Sequence, residues 1–320
     1  MRAMVRSWLS RLRTAAGDGA LWLRPEWGFG DHLMLSAVIE GVKAEHPALH
    51  VYVAADHPEI FAHNPHVDSV ESVARLRRRA PARLARYREV TRRPPAARYM
   101  QTSGHLLDDM YASVGVPVRE RPRRPRIYLT PSERRFRAAE VDRLRRPRIV
   151  VAPHGPPGVR LPNKVYPLAR WNVLAPLLGG IAGTLLQVGS TAEGPLLPGA
   201  VDYRDLGYRQ TASVLGRCDL LVTHVGGIMH LAAAVDLAAV VLYGAAEHPA
   251  ISGYDWNRNL YVPIECGPCW MEEPCWHHSC MQRLDPQRVL EEVRHALAGA
   301  PPGTVEVLDG DGASIAARDR

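Results

Sequence analysis

The stretch Thr223–Gly244, THVGGIMHLAAAVDLAAVVLYG, decides the fold of this chain. It continues an apolar, β-branched run that starts at Asp219 and meets the glycine pair Gly226–Gly227, which an alanine-rich segment follows. A second apolar run, Ala239–Tyr243, closes the unit. A strand, a glycine turn, a helix and a strand in this order are typical of the βαβ module of nucleotide-binding folds.

The glycine turn is a candidate phosphate site. Backbone N–H groups and the positive end of the helix dipole at Gly226 and Gly227 favour an anion above them. His230 lies in the first turn of the predicted helix, where it can donate to a diphosphate. An ordinary Rossmann-like layer with a packed histidine is the alternative interpretation.

Two series of strands and helices follow one another along the chain. The first has a short strand at Leu21–Leu23, a helix at Asp31–Glu45 and a strand at Leu49–Ala54. The second begins with the strand Arg148–Ala152 and ends with the helix Pro286–Leu297. Open parallel sheets bind ligands beyond the carboxyl ends of their strands. The sequence therefore predicts an α/β protein with two Rossmann-like domains that face a cleft.

We predict the domain boundaries from these two series. The first domain takes residues 1–145, and the second takes residues 146–300 with a cysteine cluster at 266–280. Residues 301–320 have little to bury and are predicted to be a mobile tail. The N-terminal stretch is predicted to be a plain leading helix rather than a signal peptide, with a basic amphipathic helix that contacts a membrane surface as the alternative. No transmembrane helix is expected.

Positive charge is concentrated in the middle of the chain. The formal net charge is +7, but residues 75–148 carry 22 arginines against 7 acidic residues. This asymmetry predicts an anionic partner, which can be a phosphorylated sugar, an anionic membrane surface or nucleic acid. A solvated arginine-rich face is the alternative, because the chain has 38 arginines and only two lysines, Lys43 and Lys164. The small number of aromatic residues in this stretch argues against nucleic acid.

Four of the five cysteines lie within fifteen residues, at Cys266, Cys269, Cys275 and Cys280. A C-x-x-C start and two further thiols suit tetrahedral zinc or iron. No acid with an obvious role in activating water is present, so such a site would be structural. Reduced cysteines or a labile disulfide are the alternatives.

The segment Gly28–Val70 resembles family 9 glycosyltransferases, the bacterial heptosyltransferases. The resemblance rests on the Gly30-Asp31 turn, the His46-Pro47 break after an apolar helix, and the phrase Asn64-Pro-His-Val-Asp68. It implies an inverting transferase of the glycosyltransferase B architecture and gives Asp31 the role of catalytic base. From chemistry alone, a carboxylate at this point can also cap the helix.

Two further segments are similar to phrases of the same family. Asn163–Trp171 is similar to K-x-W-P-x-x-x-W, with Tyr166 in place of the first tryptophan. The glycine turn is similar to D-S/T-G-x-x-H-x-A-A-A, with Val225 where the family has its aspartate. Either a Gly-Gly subtype is present or the donor contacts have changed.

The resemblance also implies ligands and partners. The donor is ADP-heptose, and the acceptor is lipopolysaccharide core, a protein or another glycoconjugate. The leaving diphosphate is stabilised by four residues, so no catalytic metal is expected; these are Lys164, Gly226, Gly227 and His230. Glu193 is a candidate ribose or base ligand, and a solvated loop acid is the alternative.

Some family members that modify autotransporter proteins have a cysteine-bound iron finger, which the cluster 266–280 resembles. We expect a cytoplasmic protein. Contact with the inner face of the membrane and assembly into a homo-oligomer are both left open. Three other hypotheses also stay open: a nucleotide-sugar epimerase or isomerase, a non-enzymatic nucleic-acid binder, and an inactive member of the family.

Overall fold

The structure is a computed structural model that describes residues 19–26, 28–90, 104–155 and 162–308. These residues form two compact units, which divide between Thr130 and Pro131, earlier than the boundary that the sequence predicts. The reason is local packing, since Glu133 accepts two hydrogen bonds of 2.6 Å from Arg209 of the second unit. The predicted N-terminal helix lies outside the described residues.

The first unit is a parallel sheet with its helices. Its described residues form four strands in the order β3-β2-β1-β4. The strands are β1 (Ala20–Pro25), β2 (His50–Ala55), β3 (Ser69–Ser72) and β4 (Arg88–Val90). The helices are α1 (Phe29–Glu45), a 3₁₀ helix (Pro58–Phe61), α2 (Val73–Arg79), α3 (Pro81–Leu84) and α4 (Leu106–Ser113).

Helix α1 is the core of this unit. Every residue from Asp31 to Ile39 is buried, so the helix is covered on nearly all of its sides. Helix α4 packs closely on it at Gly41, where an added Cβ would lie 2.8 Å from the Tyr111 hydroxyl oxygen. That hydroxyl also donates to the carbonyl oxygen of Ala37 at 2.9 Å. Helix α4 thereby holds the second half of α1 in place.

The second unit has a larger parallel sheet. Its described residues form seven strands in the order β11-β10-β9-β8-β5-β6-β7. The strands are β5 (Arg148–Ala152), β6 (Thr184–Gln187), β7 (Val201–Asp202), β8 (Leu220–His224), β9 (Ala239–Gly244), β10 (Arg258–Tyr261) and β11 (Gly303–Glu306). The helices are α5 (Pro131–Arg134), α6 (Ala138–Asp142), a 3₁₀ helix (Pro162–Lys164), α7 (Leu168–Gly179), α8 (Tyr208–Leu215), α9 (Gly227–Ala234), α10 (Pro249–Ser252), α11 (Ser279–Arg283) and α12 (Pro286–Leu297).

The order of these strands creates a switch point. The unit begins in the middle of its sheet with β5, runs outward through β6 and β7, and then continues on the other side from β8. A doubly wound sheet binds its ligand at such a point, beyond the carboxyl ends of the strands. Here the two central strands are also joined by Thr223, whose hydroxyl donates to the carbonyl oxygen of Ala152 at 3.0 Å.

Both sheets are parallel, which confirms the predicted α/β class. The tail predicted to be mobile from residue 301 contains β11, because backbone hydrogen bonds to β10 need no buried side chains. The described part of the arginine-rich stretch forms short helices, among them α2, α3, α5 and α6, and the strand β4. No helix among the described residues is long and apolar enough to span a membrane.

Candidate functional site

The glycine turn lies at the carboxyl end of β8, beside the switch point. Helix α9 begins at Gly227, with Gly226 as its N-cap residue. The first N–H groups of a helix have no partner within it, and the helix dipole makes this end positive. A Cβ added at Gly226 would meet no heavy atom within 4 Å, so the backbone there borders open space. An anion can therefore approach these N–H groups closely.

Lys164 reaches the same edge of the sheet. Its ammonium group donates to the carboxylate of Glu247 and lies 4.7 Å from the centre of the Trp270 ring. The Lys164 side chain is 13% exposed, and that of Glu247 is 1% exposed. The sequence predicted Lys164 and missed Glu247, although Glu247 follows β9 at the carboxyl edge where ligands bind.

His224 is the last residue of β8 and lies within the field of Lys164. Its pKa is lowered to about 4, chiefly by burial and to a lesser extent by the nearby Lys164 and His154. Its Nδ1 atom is buried without a hydrogen-bond partner among the described atoms. The ring is therefore a neutral imidazole at pH 7. It stands two residues before the glycine turn.

His154 is a residue that the sequence analysis missed. It follows the central strand β5 by two residues, and this position is the signal that could have found it. Its ring packs so closely on Gly194 that an added Cβ there would lie 2.6 Å away. Its Nε2 atom is 2.9 Å from the carbonyl oxygen of Pro195. His154 thus ties the loop after β6 to the switch point.

His230 lies in the first turn of α9, as predicted, and its side chain is packed within the second unit. Its side chain is only 5% exposed, and its Nδ1 atom is 2.6 Å from the hydroxyl oxygen of Tyr254. Tyr254 in turn stacks on Trp256 at 4.5 Å. This nitrogen is engaged within the protein, as the packed-histidine alternative expects. A role of His230 towards a diphosphate stays a prediction.

Glu193 lies in the loop after β6. Its Oε2 atom accepts a hydrogen bond from the backbone N–H of Ser190 at 3.3 Å. The carboxylate therefore holds its own loop. That loop borders the switch point, since Gly194 packs on His154. A role as ribose or base ligand stays a prediction.

Asp31 belongs to the first unit. It is the third residue of α1 and is 8% exposed, whereas the N-cap residue is Gly28. Its carboxylate is thus near the positive end of the helix. The adjacent His32 stabilises the turn between β1 and α1, because its Nδ1 atom lies 3.0 Å from the carbonyl oxygen of Gly28.

The structure does not confirm the zinc or iron site predicted at the four clustered cysteines. No three His, Cys, Asp or Glu residues in the described part of the chain form a group that could hold a metal ion. Backbone N–H groups hold Cys269 to Ala245 and Cys275 to Asn163, and Cys280 lies in α11. Burial raises the pKa of the Cys280 thiol and of the exposed Cys266 thiol, and neighbouring cysteines raise both further.

Asn163 joins the cysteine loop to the Lys164 segment. Its side-chain nitrogen donates to the carbonyl oxygens of Met271 at 3.2 Å and Glu273 at 2.9 Å. Its side-chain oxygen accepts from the backbone N–H of Cys275 at 2.7 Å. Its carbonyl oxygen is 3.0 Å from Nε2 of His278. One buried asparagine therefore fixes the loop behind Lys164.

The geometry coincides with a known family signature. Residues 205–277 match the model of glycosyltransferase family 9 (heptosyltransferase). The family 9 segment contains β8, the glycine turn, β9 and Glu247. A lipooligosaccharide heptosyltransferase 2 from Campylobacter jejuni is 32% identical over 84 residues. The aligned part spans 25% of this chain and 26% of that relative.

Two solved structures share the fold across most of the chain. The glycosyl transferase family 9 protein from Veillonella parvula superimposes with a TM-score of 0.68 at 15% identity, covering 87% of this chain and 97% of its own. The second structure is the dodecameric, iron-containing heptosyltransferase TibC from Escherichia coli, in complex with ADP-D-β-D-heptose. It superimposes with a TM-score of 0.62 at 14% identity, covering 86% of this chain and 76% of its own. These likenesses confirm the expected α/β fold of the glycosyltransferase B type. The family 9 segment supports a transferase.

Proposed function

We propose that this chain is an inverting glycosyltransferase that uses a nucleotide-diphosphate sugar, ADP-heptose, as its donor. One observation carries the proposal. The segment similar to family 9 contains the glycine turn at the switch point, and Lys164 reaches that edge from outside the segment. The complex of TibC with ADP-D-β-D-heptose supports the choice of donor.

In this proposal the second unit binds the donor and stabilises its leaving group. The diphosphate lies on the N–H groups of Gly226 and Gly227, with the Lys164 ammonium beside it. Donors aimed at charge that develops in the transition state are each worth about 10²–10³ in kcat. Negative charge forms on the diphosphate as the sugar departs, so these groups bind the transition state more tightly than the ground state. No catalytic metal is required.

The first unit supplies the base and the acceptor surface. Asp31 would take the proton of an acceptor hydroxyl, whose oxygen attacks the anomeric carbon opposite the diphosphate. This step requires Asp31 and the glycine turn to face one crevice, which is part of the proposal. Exposed arginines on and near α2 and α3 favour an anionic acceptor, such as lipopolysaccharide core. These arginines are Arg75, Arg77, Arg78, Arg79, Arg83 and Arg86.

The same arginines support a position at the inner face of the membrane, in the cytoplasm, where anionic lipid would attract them. The dodecamer of TibC motivates a homo-oligomer for this chain too, and sedimentation of the purified protein would measure it. TibC contains iron, whereas the described cysteines of this chain do not form a group that could hold a metal ion.

Donor selection tests the proposal most directly. Purified protein is mixed with ADP-heptose, UDP-sugars and GDP-sugars, and its thermal unfolding and sugar transfer to a deacylated core acceptor are measured. We expect ADP-heptose to stabilise the protein and to be consumed only when acceptor is present. Conversion of donor without acceptor would favour an epimerase, and a blank in every assay would favour an inactive protein.

A further inference from the structure

Glu247 is a buried carboxylate with partners on both of its oxygens. Oε2 accepts from the Lys164 ammonium, and Oε1 accepts from the Ser252 hydroxyl. That hydroxyl is also 3.4 Å from the hydroxyl oxygen of Tyr243 on β9. Burying a carboxylate is costly unless it is paired and hydrogen-bonded, and here both conditions hold. Ser252 and Tyr243 therefore fix the carboxylate, and the carboxylate fixes the lysine.

A second support holds the same ammonium group. The Trp270 ring lies 4.7 Å from Nζ, and the backbone N–H of Trp270 donates to the carbonyl oxygen of Ala246 at 3.1 Å. Both supports thus depend on the two adjacent residues Ala246 and Glu247, directly after β9. A free lysine side chain samples many rotamers, because its four-carbon stem is flexible. This arrangement removes that freedom before any ligand binds.

We infer that Glu247 is a positioning residue: it holds the Lys164 ammonium beside the carboxyl end of β8, where the leaving diphosphate would develop its charge. This inference rests on the proposed function and deepens it. Without the Glu247 charge, the ammonium would be left unpaired in a largely buried site. It would then turn to solvent or lose its proton, and either change removes the fixed cation.

The two lysines of the chain allow a test that needs no donor. Wild-type protein and Glu247→Gln are treated with trace acetic anhydride, and acetylation of Lys164 relative to Lys43 is measured by mass spectrometry. We expect the ratio to rise at least threefold in Glu247→Gln, because an ammonium paired with a carboxylate is a poor nucleophile. Glu265→Gln, the same change at an exposed residue of the same unit, should leave the ratio unchanged.

Ser252→Ala provides a milder variant in case Glu247→Gln does not fold. It keeps the carboxylate and removes the hydroxyl that holds Oε1, so the ratio should rise in the same direction by a smaller factor. Unchanged ratios in every folded variant would overturn the inference.

A double-mutant cycle in the transfer assay tests whether Glu247 acts through Lys164. We expect Lys164→Met and Glu247→Gln each to lower kcat by about 10-fold or more, with smaller changes in KM. The double variant should be no slower than the slower single variant, because the second change removes nothing further. Losses that multiply would overturn the inference. If the wild type transfers no sugar, the proposed function fails. The acetylation ratio still shows whether Glu247 holds the Lys164 ammonium.

Discussion

The Nε2 atom of His32 accepts a hydrogen bond from the backbone N–H of Asp56 at 3.2 Å. The other ring nitrogen, Nδ1, faces the carbonyl oxygen of Gly28 and therefore carries the proton. One neutral imidazole thus joins the turn after β1 to the loop after β2, next to Asp31. The pKa of His32 is lowered to about 4, chiefly by burial, with a smaller lowering from the nearby His57.

This histidine predicts a pH dependence of stability. In the unfolded chain its pKa is about 6.5, so between pH 6.5 and 4 the unfolded state binds more protons than the folded one. The free energy of unfolding should fall by about 2 kcal/mol from pH 7 to pH 5 on account of His32 alone. His224, lowered in the same way, adds to the fall. Urea unfolding at both pH values should show a shallower fall for His32→Gln than for the wild type; equal falls would contradict the assignment.

Gly226 offers a way to separate folding from donor binding. An added methyl group meets no heavy atom within 4 Å, so Gly226→Ala should unfold at nearly the wild-type temperature. The methyl group would keep a diphosphate from the N–H groups, and a lost charge-assisted hydrogen bond costs about 1.5–3 kcal/mol. Calorimetric titration should therefore show ADP affinity reduced about tenfold or more. Gly179→Ala, at an exposed glycine with equally open space, is the matched control and should bind as the wild type does.

Asp31 should matter for turnover rather than for binding. We expect Asp31→Asn and Asp31→Ala to lower transfer by about 10²–10⁴-fold, the usual contribution of a general base. ADP affinity and thermal unfolding should stay close to wild type. Steady-state kinetics with calorimetry on the same samples makes the comparison, and undiminished turnover in either variant would refute the role of base.

Asn163 should control the order of the cysteine loop. The Asn163 amide donates to two carbonyl oxygens, and Asn163→Asp replaces it with a carboxylate that these oxygens repel. The free energy of unfolding should fall by about 1–3 kcal/mol as a result. Hydrogen exchange should become faster across residues 271–278, while the exchange of β5 and β8 changes little. The same substitution at the exposed Asn172 adds the same charge to the same unit and should have no such effect.

The cysteines should differ in their reactivity. Cys266 is exposed and should be alkylated first, whereas burial raises the pKa of Cys218 to about 12 and makes it slow. Timed alkylation followed by peptide mapping gives the order. A stoichiometric metal in the purified protein, with Cys266 protected until a chelator is added, would show that the cluster binds metal after all.

Elements with strong local signals were predicted well from the sequence. Helix α12 begins and ends at the predicted residues, because Asp285 caps it through the Gln287 N–H at 2.9 Å and Pro286 suits its first turn. Strand β5 also has its predicted bounds, since an apolar, β-branched run is what a strand buried on both faces requires. In both cases neighbouring residues carry the whole signal.

Features that depend on distant partners could not be predicted in this way. Strand β10 reads Arg-Asn-Leu-Tyr, and its polar residues are accommodated because Glu292 pairs with Arg258 and Tyr254 receives a hydrogen bond from Asn259. The pairing of Lys164 with Glu247 joins residues 83 positions apart. Only the sheet order brings such residues together, and the sequence does not specify that order locally.

Strand β11 has a consequence for shortened versions of the chain. Residues 303–306 cover the outer side of β10 through parallel backbone hydrogen bonds. Ending the protein at Ala300 would uncover a row of N–H and C=O groups on β10, and exposed edges of this kind template pairing between molecules. Such a truncated protein should precipitate on concentration even though every residue around the glycine turn is intact.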